Sequence, residues 1–234
     1  MPAKTIFISR DIDQDLPFVR KLKKKGWKVY GTSLVECSPH PFPTPPDTDW
    51  IFFYSKQAIR HYFDGLDQPE RWKGIRMGMP LKVKILRYAT FGKGAAKFLK
   101  SYRGIEADFA GCGIAEEVAR DFLEVAKDKK VLFVRGKNSR QTVQQLLKKE
   151  KIDLYDLVVY DNKAKQKFSV PQCHYLLFTT PMQAEAYYQR YAKKKWQKVF
   201  AVEPSTAEAL VSLGLPMVCS GDSPDVDALI SSLA

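Results

Sequence analysis

The chain has 234 residues, 45% of them hydrophobic and 27% charged, which excludes wholesale disorder and fits one large domain or two small ones. Lys and Arg number 38 against 26 Asp and Glu, a net charge of +12 that excludes an acidic solvating protein and points to an anionic partner. Cys37, Cys112, Cys173 and Cys219 include no C-x-x-C pair, and His40, His61 and His174 complete no zinc spacing, so no metal site is expected. The cysteines read as reduced, mostly buried thiols of a cytoplasmic protein. After Met1-Pro2-Ala3-Lys4 comes only a short apolar burst, too short for a secretory signal. No apolar run approaches the roughly 20 residues of a bilayer span, so a soluble protein is expected.

In chain order, Thr5 to Ser9 is a β-prone run. Leu16, Val19 and Leu22 then recur at helical spacing up to Lys23-Lys24-Lys25-Gly26, a helix C-terminus signal, and Trp27 to Tyr30 resumes a strand. Strand–helix–strand implies a parallel sheet. Ser38 to Pro46 holds five prolines in nine residues and reads as a domain crossing. A polar stretch from Lys163 to Pro171 is a second break. Residues 1–34 with 174–234 are therefore expected to form one discontinuous α/β lobe, and 41–166 the other.

An internal repeat supports two lobes. Asp49-Trp50-Ile51-Phe52-Phe53-Tyr54-Ser55 resembles His174-Tyr175-Leu176-Leu177-Phe178-Thr179-Thr180, and Ile85 to Leu99 resembles Lys198 to Leu210. Each copy continues with a Gly-apolar pair (Gly104-Ile105, Gly214-Leu215), a short strand, a loop and an amphipathic helix, Ala115–Leu123 and Val226–Ile230. Val131 to Val134 and Leu157 to Tyr160 are further strands.

In parallel sheets ligands bind at the carboxyl ends of strands, where helix N-termini present N–H groups. The polar turns expected there are Ser9-Arg10, Ser55-Lys56-Gln57, Gly92-Lys93-Gly94, Arg135-Gly136-Lys137, Thr179-Thr180-Pro181 and Pro204-Ser205-Thr206. Each alone is an ordinary helix start. Six in two repeated lobes describe a surface rich in N–H donors and cations, suited to a ligand with many carboxylates or phosphates. No P-loop is present, Cys112 has no adjacent base, and the histidines suit no triad. The lysine clusters read as solvated helix ends, without a helix-turn-helix or RNP-type signature for nucleic acid. Tyr160 ends an apolar strand at a cleft edge.

These residues together resemble the uroporphyrinogen-III synthase family over nearly the whole chain. The resemblance rests on Ala201 to Leu210 with Gly214-Leu215, on Phe53-Tyr54-Ser55 with Ala58, on Phe133-Val134-Arg135-Gly136, on Val159-Tyr160 and on Ser9-Arg10, in that family's order. It implies two similar parallel-sheet α/β lobes joined by a two-stranded β-ladder, its strands over 35–40 and 167–173, with the active site in the cleft between them. It implies cyclisation of hydroxymethylbilane, a linear tetrapyrrole with eight carboxylates, to uroporphyrinogen III, with loss of water and inversion of ring D. No metal or cofactor, no nucleic acid, no membrane and a monomeric state go with it. Tyr160 matches the tyrosine thought to assist departure of the hydroxyl. Arg10, Ser55, Lys56, Gln57, Gly92, Lys93, Gly94, Arg135, Gly136, Lys137, Thr179, Thr180, Pro204, Ser205 and Thr206 are the expected substrate-binding residues. The chain departs from the family pattern at Glu203, usually Gly, at Ala95, usually Thr or Ser, and at Lys56, usually small or neutral. A non-catalytic two-lobed binder of a polyanion is the alternative.

Overall fold

The structure, a computed structural model, describes residues 3–13, 17–67, 86–202, 204–215 and 219–220. Glu203, the expected helix over Val226–Ile230, and Leu16 and Ile85 of the sequence patterns lie outside the described residues. The chain divides into two compact units, Met1–Glu36 with Lys163–Ala234, and Cys37–Asn162.

The first unit is built on strands β1 (Thr5–Ile8), β2 (Lys28–Gly31), β9 (Tyr175–Phe178), β10 (Lys198–Ala201) and β11 (Cys219–Ser220), in the order β11-β10-β9-β1-β2, all parallel. Helices α1 (Pro17–Lys24), α6 (Pro181–Arg190) and α7 (Pro204–Ser212) connect them. The sheet is apolar on both faces because both are covered. Ile6 and Ile8 pack with Val19, Leu22 and Trp27, while Phe7 turns the other way, to Leu176, Phe178, Tyr187 and Leu210. The strand–helix–strand reading of the N-terminus is the parallel β1–β2 pair.

The sheet of the second unit consists of β3 (Val35–Pro39), β4 (Trp50–Phe53), β5 (Arg87–Thr90), β6 (Phe109–Ala110), β7 (Lys130–Gly136) and β8 (Asp153–Ala164), in the order β3-β8-β7-β4-β5-β6, with the first two residues of β3 and the last two of β8 counted in the first unit. Helices α2 (Lys56–Asp67), α3 (Lys93–Arg103), α4 (Ala115–Ala126) and α5 (Thr142–Lys149) cover it. Ile51 and Phe53 face α2 and α3; Trp50 and Phe52 face α4 and α5. Strands β6-β5-β4-β7-β8 repeat the order β11-β10-β9-β1-β2. The repeat therefore extends to β1-α1-β2 and β7-α5-β8, a correspondence the residues alone do not display. Gly104 and Gly214 end α3 and α7 in the left-handed region (φ 70° and 72°), which explains the repeated Gly-apolar pair.

Edge strand β3 pairs with β8: Lys165 donates its N–H to the Leu34 carbonyl and His40 donates to Val159, both at 2.9 Å, an antiparallel run. The second strand of this ladder is thus the end of β8, not 167–173, which contain no strand. The alternating Phe168 and Val170 imitate a strand. They serve instead as anchors on the first unit, with Val170 buried and its N–H donated to Tyr191 Oη at 2.8 Å, and Pro171 supplies no donor. The polar Asp161-Asn162-Lys163 continues β8 in their place. The cysteines are less buried than expected. Cys173 is buried, but Cys37 on edge strand β3 and Cys112 in the turn after β6 are exposed. Among the described residues no helix is long and apolar enough to cross a membrane.

Candidate active site

Because β4, β5, β7, β9, β10 and β1 are parallel to their neighbours, the six polar turns follow the carboxyl ends of their strands, as the sequence suggests. The order of each sheet reverses between β4 and β7 and between β1 and β9, the switch points at which parallel sheets leave a crevice.

At the β4–β7 switch point Ser55, Gly136 and Tyr160 come together. Ser55 precedes α2, and its Oγ accepts the Ala58 N–H at 3.1 Å. That Oγ also shares a hydrogen bond with Tyr160 Oη at 3.2 Å. Tyr160 does not end its strand, because β8 runs on to Ala164. It is 8% exposed, and its side chain is aimed by a bulge: Arg135 pairs with Val158 but Gly136 pairs with Tyr160, so β8 carries one extra residue there. Gly136 is required for this. A β-carbon on it would lie 2.5 Å from Tyr160 Cζ and 2.8 Å from Oη. Gly136, one of the expected substrate-binding residues, thus makes room for the phenol. Burial holds the Tyr160 phenol above the ordinary tyrosine range, Ser55 offsetting part of this. The group is a neutral O–H at neutral pH.

Arg135, also among the expected substrate-binding residues, is largely engaged within the protein. It is 6% exposed, with Nε and Nη2 on the two Asp156 carboxylate oxygens at 2.7 and 2.6 Å and Nη1 on the carbonyls of Gly136 and Lys137 at 2.9 and 3.0 Å. Gln144 donates to the same carboxylate at 2.7 Å. Arg135 thus clamps the bulged end of β7, with four of its five N–H donors spent inside the protein and one Nη2 N–H left over. Asp156, which the sequence does not single out, is the partner that fixes it. Lys137 is exposed, with its Nζ 3.4 Å from Asp161.

Lys56 and Lys93 are the first residues of α2 and α3. Both are exposed and neither makes an ion pair among the described residues. A cation there opposes the positive end of the helix dipole, so its position serves something other than helix stability. Gln57, Gly92 and Gly94 lie in the same two turns, Gly92 as the N-cap of α3 without a side-chain cap. None of α2, α3, α6 and α7 has an acidic residue in its first turn, whereas α4 has Glu116 and Glu117. Ala95, where the family usually has a hydroxyl, is buried in the core.

In the first unit Ser9 and Thr179 lock the β1–β9 switch point. The Thr179 N–H donates to Ser9 Oγ at 2.9 Å, and Thr179 Oγ1 donates to the Ser9 carbonyl at 3.1 Å. Arg10 beside them is half-buried. Thr180 is the exposed N-cap of α6, and its hydroxyl makes no cap hydrogen bond. Pro204 is exposed and Ser205 half-buried. Thr206 is fully buried, and its Oγ1 has no hydrogen-bond partner among the described residues. No group of His, Cys, Asp or Glu among the described residues is arranged to hold a metal ion.

Sequence reading missed His61 as well as Asp156. The His61 ring stacks on Tyr160, with centroids 5.3 Å apart and planes at 23°. No local spacing announces the contact, because it depends on the bulge in β8.

Two units built on parallel strands, with hydroxyls, glycines and lysines at the carboxyl edges of their sheets, define an α/β protein. The family profile described as uroporphyrinogen-III synthase HemD matches residues 17–231. The chain belongs to the uroporphyrinogen-III synthase family, the lyases of that step of tetrapyrrole biosynthesis. It is 24% identical over 229 residues to the uroporphyrinogen-III synthase of Chlorobaculum parvum, covering 91% of this chain and 90% of that one. Its fold is similar to the crystal structure of uroporphyrinogen-III synthetase from Helicobacter pylori, with TM-score 0.65, 21% identity and coverage of 99% and 100% of the two chains. It is also similar to a mutant uroporphyrinogen III synthase from Thermus thermophilus, with TM-score 0.57, 14% identity and coverage of 99% and 97%.

Proposed function

We propose that this chain closes hydroxymethylbilane with inversion of ring D, and that Tyr160 is its proton donor. The observation that carries the assignment is the buried, neutral Tyr160 hydroxyl held on Ser55 at a carboxyl-edge switch point. Ser55 Oγ accepts the Ala58 N–H and keeps its own proton, which in this reading it donates to Tyr160 Oη. That leaves the phenol proton for the substrate. The phenol donates to the departing hydroxyl, the carbon–oxygen bond breaks, and water and an azafulvene-type cation result. Ring D attacks through its substituted carbon, the spiro intermediate rearranges, and the proton is recovered when the ring regains aromaticity.

The turns of both units take up the carboxylates. Lys56, Gln57, Gly92, Lys93, Gly94 and Lys137 serve in one, and Arg10, Thr180, Pro204 and Ser205 in the other, whereas Thr206 is fully buried and the Thr179 N–H and hydroxyl are spent on Ser9. The net charge of +12 and the lack of an acidic residue in the first turns of α2, α3 and α6 support this, with Glu203 directly before α7 the exception in sequence. The β3–β8 ladder joins two similar lobes. The enzyme's main task is to favour the inverting closure over the simple one. It works in the cytoplasm as a monomer, without nucleic acid; gel filtration and a salt-titrated binding assay check these points.

Product-isomer analysis tests the assignment. Freshly generated hydroxymethylbilane is incubated with the protein, the product oxidised, and type I and type III uroporphyrins separated. Dominant type III is expected, with Tyr160→Phe slower by about 100-fold, the lower end for a lost general acid. Type I alone, at the protein-free rate, would make the chain a non-catalytic binder. Unchanged type III output from Tyr160→Phe would remove the donor role.

A further inference from the structure

Tyr160 needs more than one hydrogen bond to be a useful donor. A phenol held only at its oxygen can still turn about its side-chain torsions, and the departing hydroxyl must meet its proton in one direction. Its surroundings show how that freedom is removed. The Gly136 backbone occupies one approach to the ring, since even a β-carbon there would lie within 2.5 Å of it. His61 occupies another, its imidazole nearly parallel to the phenol. Helix α2 supplies both the Ser55 cap and, two turns on, His61, so one element fixes the hydroxyl and the ring together.

His61 is not explained as a core histidine satisfied by polar partners. It is half-buried, its ring contact is with Tyr160, and its nitrogens make no hydrogen bond among the described residues. We infer that His61 is a positioning residue for Tyr160, its neutral imidazole face and the Gly136 backbone together holding the phenol in its donating direction. The inference rests on the donor assignment above. Burial, aided by Arg60 and opposed by Asp64 on the same helix, keeps His61 below the ordinary histidine range. From the other elements the charged or titratable groups concerned are Tyr160 itself on β8 and Cys37 on β3, which acts on Tyr160. A proton on His61 would make a half-buried cation, and its need for hydration would draw the ring toward water against the attraction of the phenol face.

The test is a double-mutant cycle on type III formation. An aromatic contact of this kind is worth about a three- to tenfold change in kcat, so His61→Ala is expected to lose that much, with KM within about twofold. His61→Phe, which keeps a flat ring and cannot titrate, restores kcat. In the Tyr160→Phe background His61→Ala adds no further loss. Wild-type kcat declines as pH falls below the histidine range, and His61→Phe lacks that decline. His61→Gln stands in for alanine if circular dichroism shows that His61→Ala does not fold. An undiminished kcat in His61→Ala, an equal loss with and without the Tyr160 hydroxyl, or an acid limb that survives in His61→Phe overturns the positioning role while leaving the donor assignment standing. Full activity of Tyr160→Phe overturns both.

Discussion

At the carboxyl edge of the second unit a glycine and a phenol share one space, while at the matching edge of the first a carboxylate ties down the neighbouring strand. The match follows from register: Trp50 pairs with Val131 as Tyr175 pairs with Ile6. Counting forward, Arg135 corresponds to Arg10, Gly136 to Asp11, and Asp156 to Gly31. In the second unit Arg135 is clamped by Asp156 and the room above Gly136 is filled by Tyr160. In the first, Asp11 accepts the Ser33 N–H at 3.0 Å, and the space beside Gly31 is filled by Ile12, whose Cγ1 would be 2.5 Å from a β-carbon there. A repeated topology thus fixes where the polar turns fall. Substitutions at two or three paired positions decide which edge holds a buried phenol and which offers polar turns alone.

The widest separation between the units is expected in alkali. Burial raises the phenols of Tyr54, Tyr62, Tyr88 and Tyr160 in the second unit, and of Tyr187 and Tyr188 in the first. The folded pKa lies above the unfolded value of 10.0, so stability is fully present below pH 10.0 and is lost as pH rises toward the folded values. The unfolded phenols ionise in that window and the folded ones must stay neutral. Limited proteolysis with mapped cleavage, stepped upward from pH 10.0, should release second-unit fragments first. First-unit fragments appearing earlier would break the comparison.

Next is Asp156→Ala. It leaves the Arg135 guanidinium buried and unpaired, at about 3 kcal/mol, the lower end for a broken buried pair because the Asp156 side chain is 37% exposed. The first unit has Gly31 at the matching position and no such dependence. A denaturant titration measures the loss, and less than about 1 kcal/mol would mean that the clamp does not hold the bulge in place. Gly136→Ala follows, at about 2 kcal/mol, because its β-carbon meets the backbone-anchored ring of Tyr160. Its type III rate should fall with that of Tyr160→Phe. Gly31→Ala meets the half-exposed Ile12, which can swing aside, so about 1 kcal/mol and an unchanged rate are expected. Equal rate losses would show that the Gly136 effect is general destabilisation.

The strands and the repeat were legible because Trp50–Phe53, Val131–Val134 and Tyr175–Phe178 are unbroken apolar runs, which only a sheet covered on both faces accommodates. The turns were legible because parallel pairing puts every strand end on one edge. The ladder partner was not, because Phe168 and Val170 alternate like a strand while polar Asp161 to Ala164 forms it. Arg135 looked like a ligand group because its carboxylate, Asp156, lies 21 residues on and is brought beside it only by β7–β8 pairing. The place of Tyr160 on its strand was legible, but what directs its side chain was not: the bulge, Gly136 and His61 meet only in three dimensions.

The smallest stability effect tests the two helix starts. Ser55 and Thr180 occupy corresponding positions ahead of α2 and α6, yet only Ser55 caps its helix, through the Ala58 N–H at 3.1 Å. Thr180 has extended backbone (φ −150°, ψ 157°) and spends its hydroxyl on no cap. Ser55→Ala should therefore cost about 1 kcal/mol, and Thr180→Ala less than about 0.5 kcal/mol. Activity should divide the other way. Ser55→Ala loosens the donor and lowers kcat. Thr180→Ala leaves kcat intact and raises KM, because an exposed hydroxyl with no structural bond is useful only to what docks beside it. If Thr180→Ala destabilised the protein as much as Ser55→Ala and left KM untouched, the two helix starts would be alike as structural caps. Thr180 would then have no claim on the substrate.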